Sequence, residues 1–124
     1  MMGRIRQLFC VAVICWSVVR GLSAFAQDSD PAVVEGRDLY ISYGCAVCHG
    51  PDGDGKGLVP VLSAIAPTNF TDLKAYRFGT DKNAIQHSIK FGIKEEGAVM
   101  PAFGHIPEEE LNKISDFLIS LRRK

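Results

Sequence analysis

The sequence predicts an all-α domain of three or four helices joined by long loops. Helical periodicity of apolar residues runs from Thr80 to Phe91 and again from Pro107 to about Arg122. Glycine and proline are concentrated between these segments, and no segment alternates in the manner of a β-strand. Because the domain is small, loops of this length need something to pack against.

Residues 1–26 are predicted to be a signal peptide that is cleaved after Ala26. A basic start with Arg4 and Arg6 precedes an apolar run of twelve residues, and an Ala-x-Ala triplet closes the pattern. The alternative is a leader retained as an anchor, but a membrane span needs about 20 apolar residues. We therefore expect residues 27–124 to be a soluble periplasmic domain with no stable membrane insertion.

The predicted mature chain has eleven basic and fourteen acidic side chains, a formal charge of −3. This argues against a nucleic-acid-binding protein, which would show a clustered basic excess. Removal of the leader leaves Cys45 and Cys48 as the only cysteines. A disulfide between them would close a loop too short to add much stability, so we expect the two thiols to have a chemical role.

The first helix is predicted to begin with Asp30 as its N-cap and Pro31 at its first position, and to end near Tyr43. Gly36 lies inside this helix, where glycine costs about 1 kcal/mol relative to alanine. A packing reason, such as close approach of another helix, would offset that cost.

Two loops follow. Residues 50–57 contain four glycines, and residues 58–67 are apolar but broken by two prolines, which predicts irregular chain lining a core. The next helix is predicted to open with Thr80 as its N-cap and to close at Gly92.

The last helix follows a loop over residues 97–104 that contains Met100. Pro107 and three glutamates occupy its first turn and basic residues its last, as the helix dipole favours. Its predicted buried stripe consists of Leu111, Ile114, Phe117 or Leu118, and Leu121.

The motif Cys45-Ala-Val-Cys48-His49 has three interpretations. A tetrahedral zinc site needs four ligands, and no second pair of cysteines or histidines completes it. A thioredoxin-like dithiol would follow a βαβ pattern, which is absent. Covalent attachment of haem fits the spacing, since two thiols three residues apart form thioethers to two vinyl groups and the next histidine faces the iron. We predict one haem c attached through Cys45 and Cys48, with His49 as an iron ligand.

Met100 is the predicted second axial ligand. It is the only methionine of the mature chain and lies in a loop stiffened by Pro101. His87 and His105 are the alternatives, although a surface or capping position is expected for each. Ligation by His49 and Met100 would raise the reduction potential and leave no open position on the iron.

Together these features resemble the class I c-type cytochromes, in particular the small bacterial monohaem type and the haem modules of cbb3-type oxidases. The resemblance covers residues 32–122. It rests on Gly36-x-x-x-Tyr40, Cys45-x-x-Cys48-His49-Gly50, the glycine loop, Pro60-Val-Leu62, and Met100-Pro-Ala-Phe103 before a terminal helix.

The resemblance implies a cytochrome c fold around one covalently bound haem, with Gly36 and Tyr40 meeting Phe117 where the first and last helices cross. It also implies that the Pro60 carbonyl accepts a hydrogen bond from Nδ1 of His49, which would fix the ring. The candidate partners of the haem propionates are Asn69, Tyr76 and Arg77.

The predicted function is transfer of single electrons between protein redox partners, such as a dehydrogenase, an oxidase or a reductase. The chain itself is not expected to be an enzyme. The alternative is a gas-binding or catalytic haem subunit with a displaceable sixth ligand, which the Met100-Pro101 loop argues against. A third reading is a thiol-disulfide oxidoreductase without haem.

Overall fold

The computed structural model describes residues 30–58, 66–95 and 98–123. The predicted signal peptide and Pro60 lie outside these residues. Four α-helices are present in the described chain: α1 (Pro31–Ser42), α2 (Cys45–His49), α3 (Lys82–Phe91) and α4 (Glu108–Ser120). None of them is long and apolar enough to cross a membrane. Single 3-10 turns cover Leu73–Ala75 and Leu121–Arg123.

Helix α1 begins as the sequence predicts. The Asp30 carboxylate accepts a hydrogen bond of 2.9 Å from the backbone N–H of Ala32, and Pro31 occupies the first turn. The helix ends at Ser42, and Gly44 adopts the left-handed conformation that redirects the chain into α2.

Helices α1 and α4 cross in close contact at Gly36. A Cβ atom at this position would overlap the carbonyl oxygen of Lys113. Next to the crossing, the rings of Tyr40 and Phe117 lie 5.3 Å apart between centroids. The Lys113 ammonium also reaches the Glu35 carboxylate of α1 at 2.8 Å. The predicted crossing, and the packing reason for a glycine inside α1, are confirmed.

The apolar stripe of α4 forms the centre of the core. Phe117 and Leu118 are both buried, because the stripe is wide enough to face α1 on one side and α3 on the other. The buried apolar residues are Tyr40, Ile85, Ile89, Ile106, Leu111, Ile114, Phe117, Leu118 and Leu121.

The N-cap of α3 differs from the prediction. Asp81, not Thr80, holds the cap, and its carboxylate accepts a hydrogen bond of 3.0 Å from the backbone N–H of Ala84. A charged carboxylate is favoured there because it also interacts with the positive end of the helix dipole. The helix ends before Gly92, as predicted.

A two-stranded antiparallel sheet was not predicted. Strand β1 (Ile93–Glu95) pairs with β2 (Ala98–Met100), and the register sets Ile93 opposite Met100. Strands of three residues are too short to show an alternating pattern in the sequence. The segment expected to be a loop at Met100 is therefore a strand end.

Replacement of Gly36 by alanine is expected to destabilise the protein by about 1–3 kcal/mol, because the added methyl group overpacks the α1–α4 crossing. In an isolated helix the same change would stabilise by about 1 kcal/mol. Denaturant unfolding of the purified protein measures the difference. Gly104→Ala is the matched control, since a Cβ there meets only the Lys90 carbonyl oxygen at 3.4 Å. A stabilised Gly36→Ala protein would contradict the tight crossing.

Candidate functional site

Helix α2 carries the two cysteines on one face, because residues three apart lie on the same side of a helix. Cys45 is half-buried against the core and Cys48 is exposed, and both thiols are free. Burial raises the pKa of the Cys45 thiol to about 11, and the nearby Cys48 adds to the shift. Cys45 is therefore protonated at neutral pH.

The glycine loop folds back over the end of α2. The backbone N–H of Gly55 donates to the carbonyl of His49 at 2.8 Å, and that of Gly57 donates to the carbonyl of Cys48 at 3.1 Å. These bonds satisfy carbonyls that have no partner within the helix. The loop thus fixes the position of the short helix that bears the motif.

Helix α1 is attached to the same point. The buried hydroxyl of Tyr40 donates to the carbonyl of Gly50 at 2.7 Å, one residue after His49. Burial raises the pKa of this hydroxyl, so it remains a donor at all ordinary pH values. The α1–α4 crossing is therefore connected directly to the end of the motif.

The imidazole of His49 is buried and is held by two contacts. The side chain is 9% exposed, its ring stacks on Phe70 with centroids 4.7 Å apart, and Nδ1 lies 3.1 Å from the carbonyl oxygen of Thr68. Burial lowers the pKa of His49, against an opposing effect of the Thr68 bond. Because a carbonyl only accepts, Nδ1 carries the proton, and Nε2 of the neutral ring keeps a free lone pair.

Thr68 is the functional residue that sequence reasoning missed. The prediction assigned the acceptor role to Pro60, which lies outside the described residues. In the described part of the chain, the Thr68 carbonyl occupies the acceptor position at Nδ1. The one sequence feature that could have indicated Thr68 is Pro67, the second proline of residues 58–67, which directly precedes it.

His49 and Met100 line one cleft. The cleft is concave and open to solvent, as small-molecule and cofactor sites are. The wall is largely apolar with a few polar groups, as such sites require. The lining residues are His49, Thr68, Phe70, Tyr76, Arg77, Phe78, Gly79, Ile85, Ser88, Ile89, Ile93, Met100 and Leu118.

Met100 reaches the cleft from the end of β2. Its backbone passes so close to Gly92 that a Cβ at Gly92, where φ is +71°, would meet the Met100 carbonyl oxygen. The other two candidate ligands lie elsewhere: His87 and His105 are exposed, His87 packs on Phe91, and neither is among the lining residues.

Only two of the three predicted propionate partners line the cleft. Tyr76 and Arg77 line the cleft, whereas the Asn69 side chain accepts two hydrogen bonds from Thr71 in a local turn. The Arg77 guanidinium lies 2.8 Å from the carboxylate of Glu95 in β1. Arg77 therefore joins the cleft wall to the sheet that carries Met100.

These residues fit a covalently attached haem. A neutral, oriented imidazole and a thioether line one apolar cleft, and imidazole and thioether are ligands that haem iron takes in cytochromes c. Two free thiols precede the imidazole on the same helix, by four residues and by one residue. Free thiols in that position are the attachment points that the cofactor needs.

The family model described as "Cytochrome C oxidase, cbb3-type, subunit III" matches residues 31–118. The chain belongs to this family. It is a class I c-type cytochrome, as its sequence motifs predicted. The match covers α1, the motif helix α2, α3, the sheet with Met100 and nearly all of α4, which are the elements that form the cleft.

The curated relatives are larger proteins. The chain is 29% identical over 108 residues to the cbb3-type cytochrome c oxidase subunit CcoP of Helicobacter pylori (strain 52), across 85% of this chain and 34% of that protein. It is 30% identical over 106 residues to CcoP of a second H. pylori strain, across 82% of this chain and 30% of that protein. The chain spans about a third of the length of these relatives. No solved structure matches it.

Proposed function

We propose that this cytochrome is a monohaem electron carrier that passes single electrons between redox proteins in the periplasm. The observation that carries the proposal is the shared cleft of His49 and Met100, next to the helix that presents Cys45 and Cys48. In the described chain, the imidazole of His49 and the thioether of Met100 are the ligand atoms available for one haem iron at this cleft. The sequence has a single Cys-x-x-Cys-His motif.

Each residue of the site has a role in this proposal. Cys45 and Cys48 would hold haem c through thioethers, and His49 and Met100 would be the ligands of its iron. When bound, the haem supplies a reversible one-electron exchange between ferric and ferrous iron. The Thr68 carbonyl keeps the proton on Nδ1 of His49 and so keeps Nε2 available as a ligand. The thioether of Met100 and the apolar wall favour the ferrous state.

The contacts around Met100 favour an electron carrier over a gas-binding or catalytic subunit. The β1–β2 pairing and the close approach at Gly92 hold this residue at the cleft. A subunit with an open iron site would need Met100 to leave. The raised pKa of Cys45 argues against this thiol as the attacking group of a thiol-disulfide oxidoreductase, because an attacking thiol needs a lowered pKa.

The proposals of export and of redox partners rest on the sequence and the relatives. The leader pattern of residues 1–26 supports export and cleavage. The relatives are named as subunits of cbb3-type oxidases, which supports an oxidase or its electron donor as one redox partner. A dehydrogenase or a reductase is the other class that a one-electron carrier serves.

The first experiment is an optical spectrum of the exported protein, oxidised and reduced, before and after acid-acetone extraction. We expect a low-spin haem that stays with the protein and a weak long-wavelength band from methionine-ligated ferric iron. Cys48→Ala is expected to reduce the retained haem severalfold, and Val47→Ala, an exposed neighbour in the motif, is the control. Complete extraction of haem from the unaltered protein contradicts covalent attachment.

Met100→Ala is expected to leave the haem attached and to lower the reduction potential by more than about 59 mV. For a one-electron couple, this shift is a tenfold change in the equilibrium constant. The physical reason is the loss of the thioether, which stabilises ferrous iron. Potentiometric titration gives the potential, and Val99→Ala, exposed on the same strand, is the control. An unchanged potential would assign the ligand to another residue and sink the Met100 proposal.

The Arg77–Glu95 ion pair is expected to hold Met100 on the iron. Strands of three residues are marginally stable alone, and this pair ties β1 to the cleft wall. An exposed pair contributes about 0.2–1 kcal/mol. Arg77→Gln and Glu95→Gln should therefore each raise the apparent affinity for added imidazole, which competes with Met100, by up to about fivefold.

Spectroscopic titration with imidazole measures this effect, and the double variant should bind no more tightly than either single variant. Lys82→Gln, which breaks the Lys82–Asp116 pair between α3 and α4, is the matched control. High salt should reduce the difference between variant and parent. Additive effects of the two substitutions would show that the residues act separately.

A further inference from the structure

Arg122 carries a buried donor that the described residues leave unsatisfied. It lies in the 3-10 turn that continues α4, and its guanidinium carbon is 4.6 Å from the centroid of the Tyr76 ring. Nε donates to the Tyr76 hydroxyl at 3.2 Å. Nη2 is buried and has no hydrogen-bond partner in the part of the chain that the structure describes.

The position of this group sets it apart from the other cations. Among the lysines and arginines whose side chains the structure describes, the others outside ion pairs are Arg37, Lys74 and Lys94, and all three are exposed. Water solvates those side chains, whereas a buried guanidinium nitrogen without an acceptor carries a desolvation penalty. Stacking on Tyr76 offsets part of this penalty. The Nη2 donor is stabilised only by a hydrogen-bond acceptor, and an anionic acceptor would also compensate the positive charge of the guanidinium.

Arg122 lies behind the wall of the haem cleft. Tyr76, on which it stacks, lines the cleft, and the Tyr76 hydroxyl donates to the carbonyl of Phe70 at 3.0 Å. Phe70 is the ring that stacks on His49. Leu118, one turn before Arg122 on the same side of α4, also lines the cleft. No carboxylate of the described residues forms an ion pair with Arg122.

We infer that Arg122 binds a propionate carboxylate of the haem, an inference that rests on the proposed function. A propionate supplies both the acceptor and the negative charge, and guanidinium is the side chain best suited to a carboxylate. The family resemblance had implied Asn69, Tyr76 and Arg77 as candidates for this role. In the structure Tyr76 positions the Arg122 guanidinium, while Asn69 is engaged in its own turn and Arg77 faces Glu95.

The charge of Arg122 should then act on the iron. A positive charge bound to a propionate repels the extra positive charge of ferric haem. Its removal favours the ferric state, which carries the extra positive charge. We expect Arg122→Gln to shift the one-electron equilibrium about tenfold toward ferric haem, and Arg122→Lys to restore most of this shift.

The experiment measures two quantities on the complete haem protein. Potentiometric titration gives the equilibrium shift, and the resonance Raman band for propionate bending reports hydrogen bonds at that carboxylate. Arg122→Gln and Arg122→Lys should both move the band. Lys113→Gln, which removes a charge from the same helix at the α1 crossing, should leave the band in place and shift the potential less.

Each outcome bears on a separate conclusion. If Arg122→Gln lowers only the thermal stability and leaves the potential and the propionate band of the unaltered protein, the acceptor is a group of the polypeptide and the inference is wrong. If the unaltered protein holds no covalent haem in a host that attaches it, the proposed function fails before Arg122 is tested. A shift in both readouts, with recovery of the potential in Arg122→Lys, supports the inference.

Discussion

The close crossing of α1 and α4 at Gly36 is the constraint on which the site depends. The absence of a side chain at Gly36 lets the α4 backbone at Lys113 approach, and this approach places Tyr40 against Phe117. The Tyr40 hydroxyl then fixes the carbonyl of Gly50, at the end of the helix that bears the cysteines. A methyl group at residue 36 would therefore disturb a path of contacts that reaches the residue next to His49.

Around His49, burial favours the neutral imidazole, and the hydrogen bond to Thr68, whose effect on the pKa opposes that of burial, sets the tautomer. The apolar surroundings disfavour imidazolium, and the Thr68 carbonyl holds the single proton on Nδ1. Stacking on Phe70 limits rotation of the ring. The side chain is thus a neutral, oriented imidazole, and in the proposed role of iron ligand it would need little reorganisation.

The sequence predicted those parts of the fold that depend on local rules. The capping of α1 by Asp30, the apolar stripe of α4 and the glycine at the crossing each have a signature within a few residues. The role of Thr68 and the β1–β2 pairing have no such signature. Thr68 acts through its backbone carbonyl, which every residue has, and strands of three residues are too short to show a periodic pattern. The unsatisfied Nη2 of Arg122 can be recognised only when the burial of this atom is known. From sequence alone, an arginine near a helix C-terminus is explained by its favourable interaction with the helix dipole.

The α1–α4 contact also bears on how the chain folds. All-α domains usually fold quickly, because most of their contacts are local. Here Glu35 and Lys113 at the crossing are 78 residues apart, so the central pairing closes a loop over most of the domain. The entropy of that closure opposes the pairing until the intervening segments are compact. Compaction of the middle of the chain, which α3 and the glycine loop provide around the cleft, is therefore a kinetic requirement for joining its two ends.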